Sequence, residues 1–228
     1  MMKKKLFRNS KKIDQFLINF IKNQKNSLLV KPMKYGVISG GKKIRSTIIF
    51  EAGKIFNLKE KQLINICAAV ECIHSYSLIH DDLPCMDNDL IRRGKPSTHV
   101  KFGEASAVLA GSSLLTLAFE IIADRKYLLN PKTKNEIIRS LASCSGHTGI
   151  AGGQELDLKF ENKKKKLNQI IDMQKKKTGK LFNFCLYAVG AVANKSKKEK
   201  KFLSKLGEEI GLLSVSYTHL TLPTTDRV

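Results

Sequence analysis

An all-α bundle is the fold class that this sequence predicts. Three observations carry the prediction: apolar residues recur at helical spacing through most of the 228 residues, alternating strand patterns are scarce, and breakers fall between the apolar segments. Ile13, Phe16, Leu17, Phe20 and Ile21 share one face of a first helix. "STIIFEAGKIF" has the β-branched run of a strand, but its length and the spacing of Glu51 and Lys54 favour a helix. Leu63, Ile66, Cys67, Val70 and Ile73 open a helix that runs on through "ECIHSYSLIHDD". The most apolar stretch, residues 105–123, is interrupted by Ser106, Gly111, Ser112, Ser113 and Glu120, and so reads as a buried helix rather than a membrane span. Ile170 and Met173, then Leu181, Phe184 and Cys185 beyond Gly179, continue the helical pattern. Pro32, the "SGG" at 39–41, Pro84, Pro96, Pro131, the "AGG" at 151–153 and the lysine run 163–166 divide the chain into about eight or nine helices of one domain.

Composition narrows the function. A net charge of +21 raises nucleic acid or an anionic membrane as partners. The 34 lysines are spread along the whole chain, however, with no interleaved aromatics and no Trp, so a base-stacking surface has little to build on and nucleic acid is not expected. Only 7 arginines occur, and Arg45, Arg92 and Arg93 lie beside glycines and acidic residues, where a planar guanidinium can grip a diphosphate by two bonds. The five cysteines show no CxxC spacing, which fits a reducing cytoplasm. "MMKKKLFRNSKK" lacks the apolar core of a signal peptide.

The chemistry concentrates in "HDDLPCMDNDLIRRG". On one helix, Glu71, His74, Leu78 and Asp81 lie on one face, and Pro84 lets the following chain bend to bring Asp87 back toward Asp81. Carboxylates so placed repel unless a cation sits between them, and an all-oxygen set suits Mg²⁺ better than zinc. Arg92 and Arg93 then neutralise an anion bridged to that metal, which describes a diphosphate site.

"GGKKIR", "ECIHSYSLIHDDLPCMDNDLIRRGKPSTHVKFGEA", "GGQELDL" and "KKKTGKL" occur in the order seen in the trans-isoprenyl diphosphate synthases, and the chain resembles that family from about residue 38 to residue 213. Bacterial farnesyl and geranylgeranyl diphosphate synthases are the members it is most similar to. The resemblance implies an isoprenoid-synthase helical bundle around a deep apolar cavity, a Mg²⁺-dependent, usually homodimeric cytoplasmic enzyme, and head-to-tail condensation of isopentenyl diphosphate with allylic diphosphates. It also implies that Asp81 and Asp87 bind the metal with Asp82 close by, and that Arg92, Lys177 and Thr178 hold the allylic diphosphate, with Gln154 and Asp157 lining the same end. Lys42, Arg45, His74 and Arg93 are the implied grip on isopentenyl diphosphate. The residues themselves support that grip: "SGGK" frees the backbone for close phosphate approach, and Lys42 and Arg45 are expected one helical turn apart. Tyr76, five residues before Asp81, and its neighbour Ser77 are the implied determinants of chain length, an aromatic there favouring a farnesyl product.

Two departures stand out. Asn88 and Leu90 occupy places often acidic in the family. After "EEIGLL", where a second aspartate-rich motif belongs, the chain reads "SVSYTHLTLPTTDRV": residues 214–228 hold four Thr against six in the preceding 213 and contain no Lys, Ile or Asn. The expectation is a synthase domain over 1–213, truncated before its last helices and of weak or no activity, with a non-native tail over 214–228 and helix character ending near Leu213. Rival readings are fewer in their support. An HD-type metal phosphohydrolase would use His74, His80 and Asp81 but gives the double arginine no role, a basic nucleic-acid-binding protein rests on charge alone, and terpene cyclases lack the isopentenyl grip.

Overall fold

A computed structural model describes residues 2–22, 27–38, 40–161 and 163–221. The chain forms two compact units, Met1–Ile138 and Arg139–Val228. The first contains α1 (Met2–Lys22), α2 (Val30–Ile38), α3 (Ile44–Ile55), a 3₁₀ turn (Glu60–Gln62), α4 (Ile64–Asp81), a hairpin of β1 (Ile91–Arg92) and β2 (Lys95–Pro96), α5 (Thr98–Phe102), α6 (Glu104–Ala123) and the first half of α7 (Pro131–Ser145). The second holds the rest of α7, α8 (Ile150–Phe160), α9 (Leu167–Gln174), a π-helical turn (Lys175–Gly179), α10 (Lys180–Val192) and α11 (Lys197–Thr221). The all-α expectation holds, with a two-residue-per-strand hairpin as the one sheet among the described residues.

In the first unit α4 is the central element. Apart from the face that carries Glu71, His74 and Asp81, its sequence is mostly apolar or small, and Ile66, Cys67, Ala68, Ala69, Val70, Cys72 and Ile73 are all fully buried. Each large aliphatic side chain so buried contributes roughly 1.5–3 kcal/mol. α3 and α6 flank it. Two glycines set the spacing: a Cβ on Gly36 of α2 would fall 2.4 Å from Ile79 Cδ1, and one on Gly111 of α6 would fall 2.3 Å from His80 Nε2. α6 is long and apolar enough by composition to cross a membrane. Its Ala107, Ala110, Leu114, Leu117, Ala118, Ile121 and Ile122 are nevertheless buried inside this unit.

In the second unit α11 lies along α10 and the π turn. Glycines again permit the approach, since a Cβ on Gly207 would meet Phe182 O at 2.4 Å and one on Gly211 the Gly179 Cα at 3.0 Å. Phe184 and Cys185 are fully buried there.

Three sequence expectations are corrected. Eleven α-helices occur among the described residues, more than the predicted eight or nine, because single breaks such as Gly103 (φ +85) separate α5 from α6. Two predicted breakers lie inside helices: Pro32 sits in the first turn of α2, where its missing N–H costs nothing, and the "AGG" of 151–153 lies within α8. Finally, the α11 backbone continues past Leu213 to Thr221, since extending a helix is far easier than starting one and the next proline is Pro223. Residues 222–228, half of the predicted non-native tail, lie outside the described residues.

Candidate active site

The aspartate-rich segment is bent as its proline predicted. α4 stops at Asp81, and the Asp87 N–H donates to the Asp81 carbonyl at 2.9 Å while Asn88 N–H donates to Leu83 O at 3.1 Å. Asn88 supplies the left-handed φ of 52° that turns the chain back. Asp81 and Asp82 are buried, and Asp87 and Asp89 are exposed. Arg92 answers them: its Nε donates to Asp82 Oδ1 at 2.9 Å, one Nη donates to the same oxygen, and that Nη donates also to Asp89 Oδ2 at 2.8 Å. Burial works against the charged guanidinium, but the bond and charge of Asp82 outweigh it and raise Arg92 above its ordinary value. Burial likewise pushes the Asp82 carboxyl up, and the Arg92 bond opposes it. A water-sized hollow of about 20 Å³ is lined by Asp82, Arg92 and Arg93 together with Ser75.

The β1–β2 hairpin aims the second arginine. Arg92 pairs with Lys95, leaving Arg93 and Gly94 as a two-residue turn with φ of 55° and 71°, both positive as a type I′ turn demands. A non-glycine residue in this region costs about 1–2 kcal/mol. The turn delivers Arg93 Nη1 to Gly40 O at 2.6 Å. Gly41 has no side chain in the way; its Cβ would fall 2.8 Å from the Arg93 Cζ. The "SGGK" loop and Arg93 therefore meet, as the implied isopentenyl grip requires.

Lys42 and Arg45 do not stand one helical turn apart. α3 begins only at Ile44, and Gly40, Gly41 and Lys43 all take positive φ, so Lys42 lies exposed in the loop before the helix. Lys43 turns inward instead, its Nζ donating to Val37 O at 3.0 Å and pairing with Asp14 at 3.1 Å. His74 sits in the field of this cluster. Burial, then the charges of Arg45, Arg93, Lys43 and Arg92, hold its imidazole well below the ordinary histidine value, so it is neutral at pH 7. An unfolded histidine binds a proton near pH ~6.5 whereas folded His74 does not, so stability is full above that pH and falls as the pH drops below it, by at most about 1.4 kcal/mol per unit. Urea midpoints at pH 7 and pH 5 should differ less in His74→Gln than in the parent; an unchanged difference would refute the assignment.

The remaining implied residues divide between the two units. In the second unit Lys177 Nζ donates to Asp157 Oδ2 at 2.5 Å, and Lys177 and Thr178 lie on the π turn, a feature that often marks functional sites. Gln154 is buried one turn before Asp157. Tyr76 is buried in the first unit with its ring edge-on to His80, centroids 5.5 Å apart, and Ser77 Oγ donates to His74 O at 2.9 Å. His80 Nε2 lies 3.1 Å from Val108 O and rests over Gly111. Engaged with α6 in this way, His80 is unsuited to the metal set of a phosphohydrolase.

Sequence reasoning missed two locks. Buried Glu71 accepts from Ser46 Oγ at 2.6 Å and Ser46 N at 3.3 Å, tying α3 to α4 beside the arginines. The Lys43–Asp14 pair ties the glycine loop to α1. No spacing in the chain links residues so far apart; a buried acid on an otherwise apolar helix was the one available signal.

Among the described residues no three His, Cys, Asp or Glu side chains converge as a metal cage. The Asp81 and Asp87 backbones are joined directly, however, and these two carboxylates are a hard, all-oxygen pair. That fits an ion such as Mg²⁺, which keeps several waters and takes one or two carboxylates plus substrate phosphates.

A helical protein in which an aspartate-rich helix end is answered by an arginine hairpin and a glycine–lysine loop is of the isoprenoid-synthase class. A family model described as polyprenyl synthetase matches residues 26–213. The chain is 43% identical to the farnesyl diphosphate synthase of Escherichia coli over 190 residues and 39% identical to that of Bacillus subtilis over 185 residues. These matches cover 82% and 81% of the chain and span 63% and 62% of the relatives' lengths. An apo crystal structure of an FPP/GFPP synthase from Zymomonas mobilis superposes with a TM-score of 0.88 at 39% identity, covering 92% of this chain and 77% of that one. The chain belongs to the polyprenyl synthetase family.

Proposed function

We propose that this protein is a prenyltransferase that condenses isopentenyl diphosphate head-to-tail with dimethylallyl and geranyl diphosphates to give farnesyl diphosphate. The observation that carries the reading is the fork of Arg92 on Asp82 and Asp89 next to the Asp81–Asp87 turn, with Arg93 clamped on the glycine loop. A guanidinium held by carboxylates can be handed to an incoming diphosphate without a new charge being buried.

Asp81 and Asp87 are assigned to Mg²⁺, which when bound neutralises the departing diphosphate. Arg92 of the first unit is assigned to the allylic diphosphate, as are Lys177, Thr178, Gln154 and Asp157 of the second. Lys42, Arg45 and Arg93 are assigned to isopentenyl diphosphate, and His74, being neutral, donates an N–H without adding charge. Cations aimed at the charge that develops on the leaving group give the strongest stabilisation such a site offers. Water must be excluded, because it would quench the allylic cation. Residues 1–213 are assigned to the synthase domain and 214–228 to a non-native tail. A homodimer in the cytoplasm, not embedded in a membrane and without nucleic acid as a partner, completes the reading.

The test is incubation with isopentenyl and dimethylallyl diphosphates and Mg²⁺, chromatography of the dephosphorylated products, and Mg²⁺-dependent binding of an unreactive geranyl thiodiphosphate. Metal-dependent binding and weak turnover to farnesol are the expected results. Geranylgeraniol would favour the longer-chain alternative, and phosphate release with neither carbon–carbon bond formation nor binding would sink the proposal. Truncating Tyr76 to Ala should lengthen the main product by at least one isoprene unit, read on the same chromatogram.

A further inference from the structure

The first unit carries a second anion-attracting hollow, formed by α1, α2, β2 and α5. It is an open groove of about 660 Å³, within the range of small-molecule sites. Lys31, Lys34, Lys95 and Lys101 line it, and no carboxylate does. Among the described residues none of these four lysines joins a salt bridge, although eleven such bridges occupy other cations.

Between the lysines the lining is apolar. Ile18 and Ile38 contribute aliphatic surface. Tyr35 and Phe102 pack edge to face with centroids 5.3 Å apart, and Lys101 Nζ sits 4.2 Å from the Tyr35 centroid. Tyr35 is fixed further by donating its hydroxyl to Pro96 O at 2.7 Å. The aromatic wall is thus prearranged, and both of its cation–π contacts among the described residues, over Tyr35 and at 5.6 Å over Phe102, are made by Lys101 alone.

We propose that this groove binds a single dissolved amphiphile, a phosphate or diphosphate ester on an apolar chain, with the headgroup at the lysines and the chain along Ile18, Ile38 and the ring pair. Lysine suits the headgroup as a point charge, and the apolar lining between the lysines suits one chain. The proposed reaction makes molecules of this class. The binding claim stands without that reaction, since its test involves no turnover.

The probe is dodecyl phosphate below its micellar concentration, titrated calorimetrically into the full chain. Lys31→Glu/Lys34→Glu should weaken binding at least about tenfold, equivalent to 1.4 kcal/mol, and Lys31→Ala/Lys34→Ala should follow in the same direction with an unchanged melting temperature. Lys163→Glu/Lys164→Glu, the same charge change on exposed lysines elsewhere, should change it less than about twofold. Inorganic phosphate should bind far more weakly. Equal losses in the two glutamate pairs, inorganic phosphate binding as tightly, loss only in Arg92→Ala, or uptake by phosphatidylglycerol vesicles without binding of the dissolved probe would each overturn the proposal.

Discussion

Replacing Asp81 and Asp87 together with alanine is expected to lower prenyl transfer by at least about a thousandfold, the scale of losing transition-state charge stabilisation, with little loss of fold. Asp87 is exposed, and its structural bond to Asp81 is made by the backbone N–H and carbonyl, which alanine keeps. Asp82 is different. Buried like Asp81, it also carries two bonds from Arg92, so its removal leaves a partly exposed guanidinium with exposed Asp89 as its acid and mixes stability with activity. The informative comparison is therefore the Asp81/Asp87 double variant against Asp82→Ala, by turnover, by metal-dependent binding of geranyl thiodiphosphate and by thermal melting. Full turnover in the double variant would remove the metal assignment, whatever became of Arg92.

Gly153→Ala is expected to destabilise the second unit by about 3 kcal/mol or more, the upper part of what single substitutions do. For a chain of this size that corresponds to a fall of roughly 6–12 °C in melting temperature. The added Cβ would lie 2.2 Å from Lys177 N, 2.5 Å from Lys177 Cα and 2.8 Å from the Lys176 carbonyl carbon. All three are backbone atoms, so no side-chain rotation relieves the overlap, and α8 or the π turn must move. Because Lys177 holds Asp157 and Thr178 follows it, binding of the allylic analogue should weaken as well. A melting temperature within about 2 °C of the parent would show that the contact is looser than this.

The fold class was legible because helical periodicity is written locally. The turn after α4 could be read from Pro84. The glycines were harder. "AGG" at 151–153 has the composition of a break, and only the backbone packed against the two glycines, the His147 carbonyl at Gly152 and the π turn at Gly153, explains why they sit inside a helix. The spacing of Lys42 and Arg45 misled for a related reason: helical geometry was assumed across Lys43, whose φ of 41° starts α3 one residue later.

The chain by itself determined the helices, the acidic bend and the identity of the two arginines, since periodicity, proline and residue chemistry act over a few neighbouring positions. Tertiary structure decided which partner each charge takes. Lys43 turns to Asp14 rather than to the loop mouth, Glu71 locks Ser46, Arg93 reaches Gly40, and His74 loses its proton to burial and to the field of cations brought from two separate segments. Electrostatic energy depends on distance through space and on burial, and neither quantity exists until distant segments have packed.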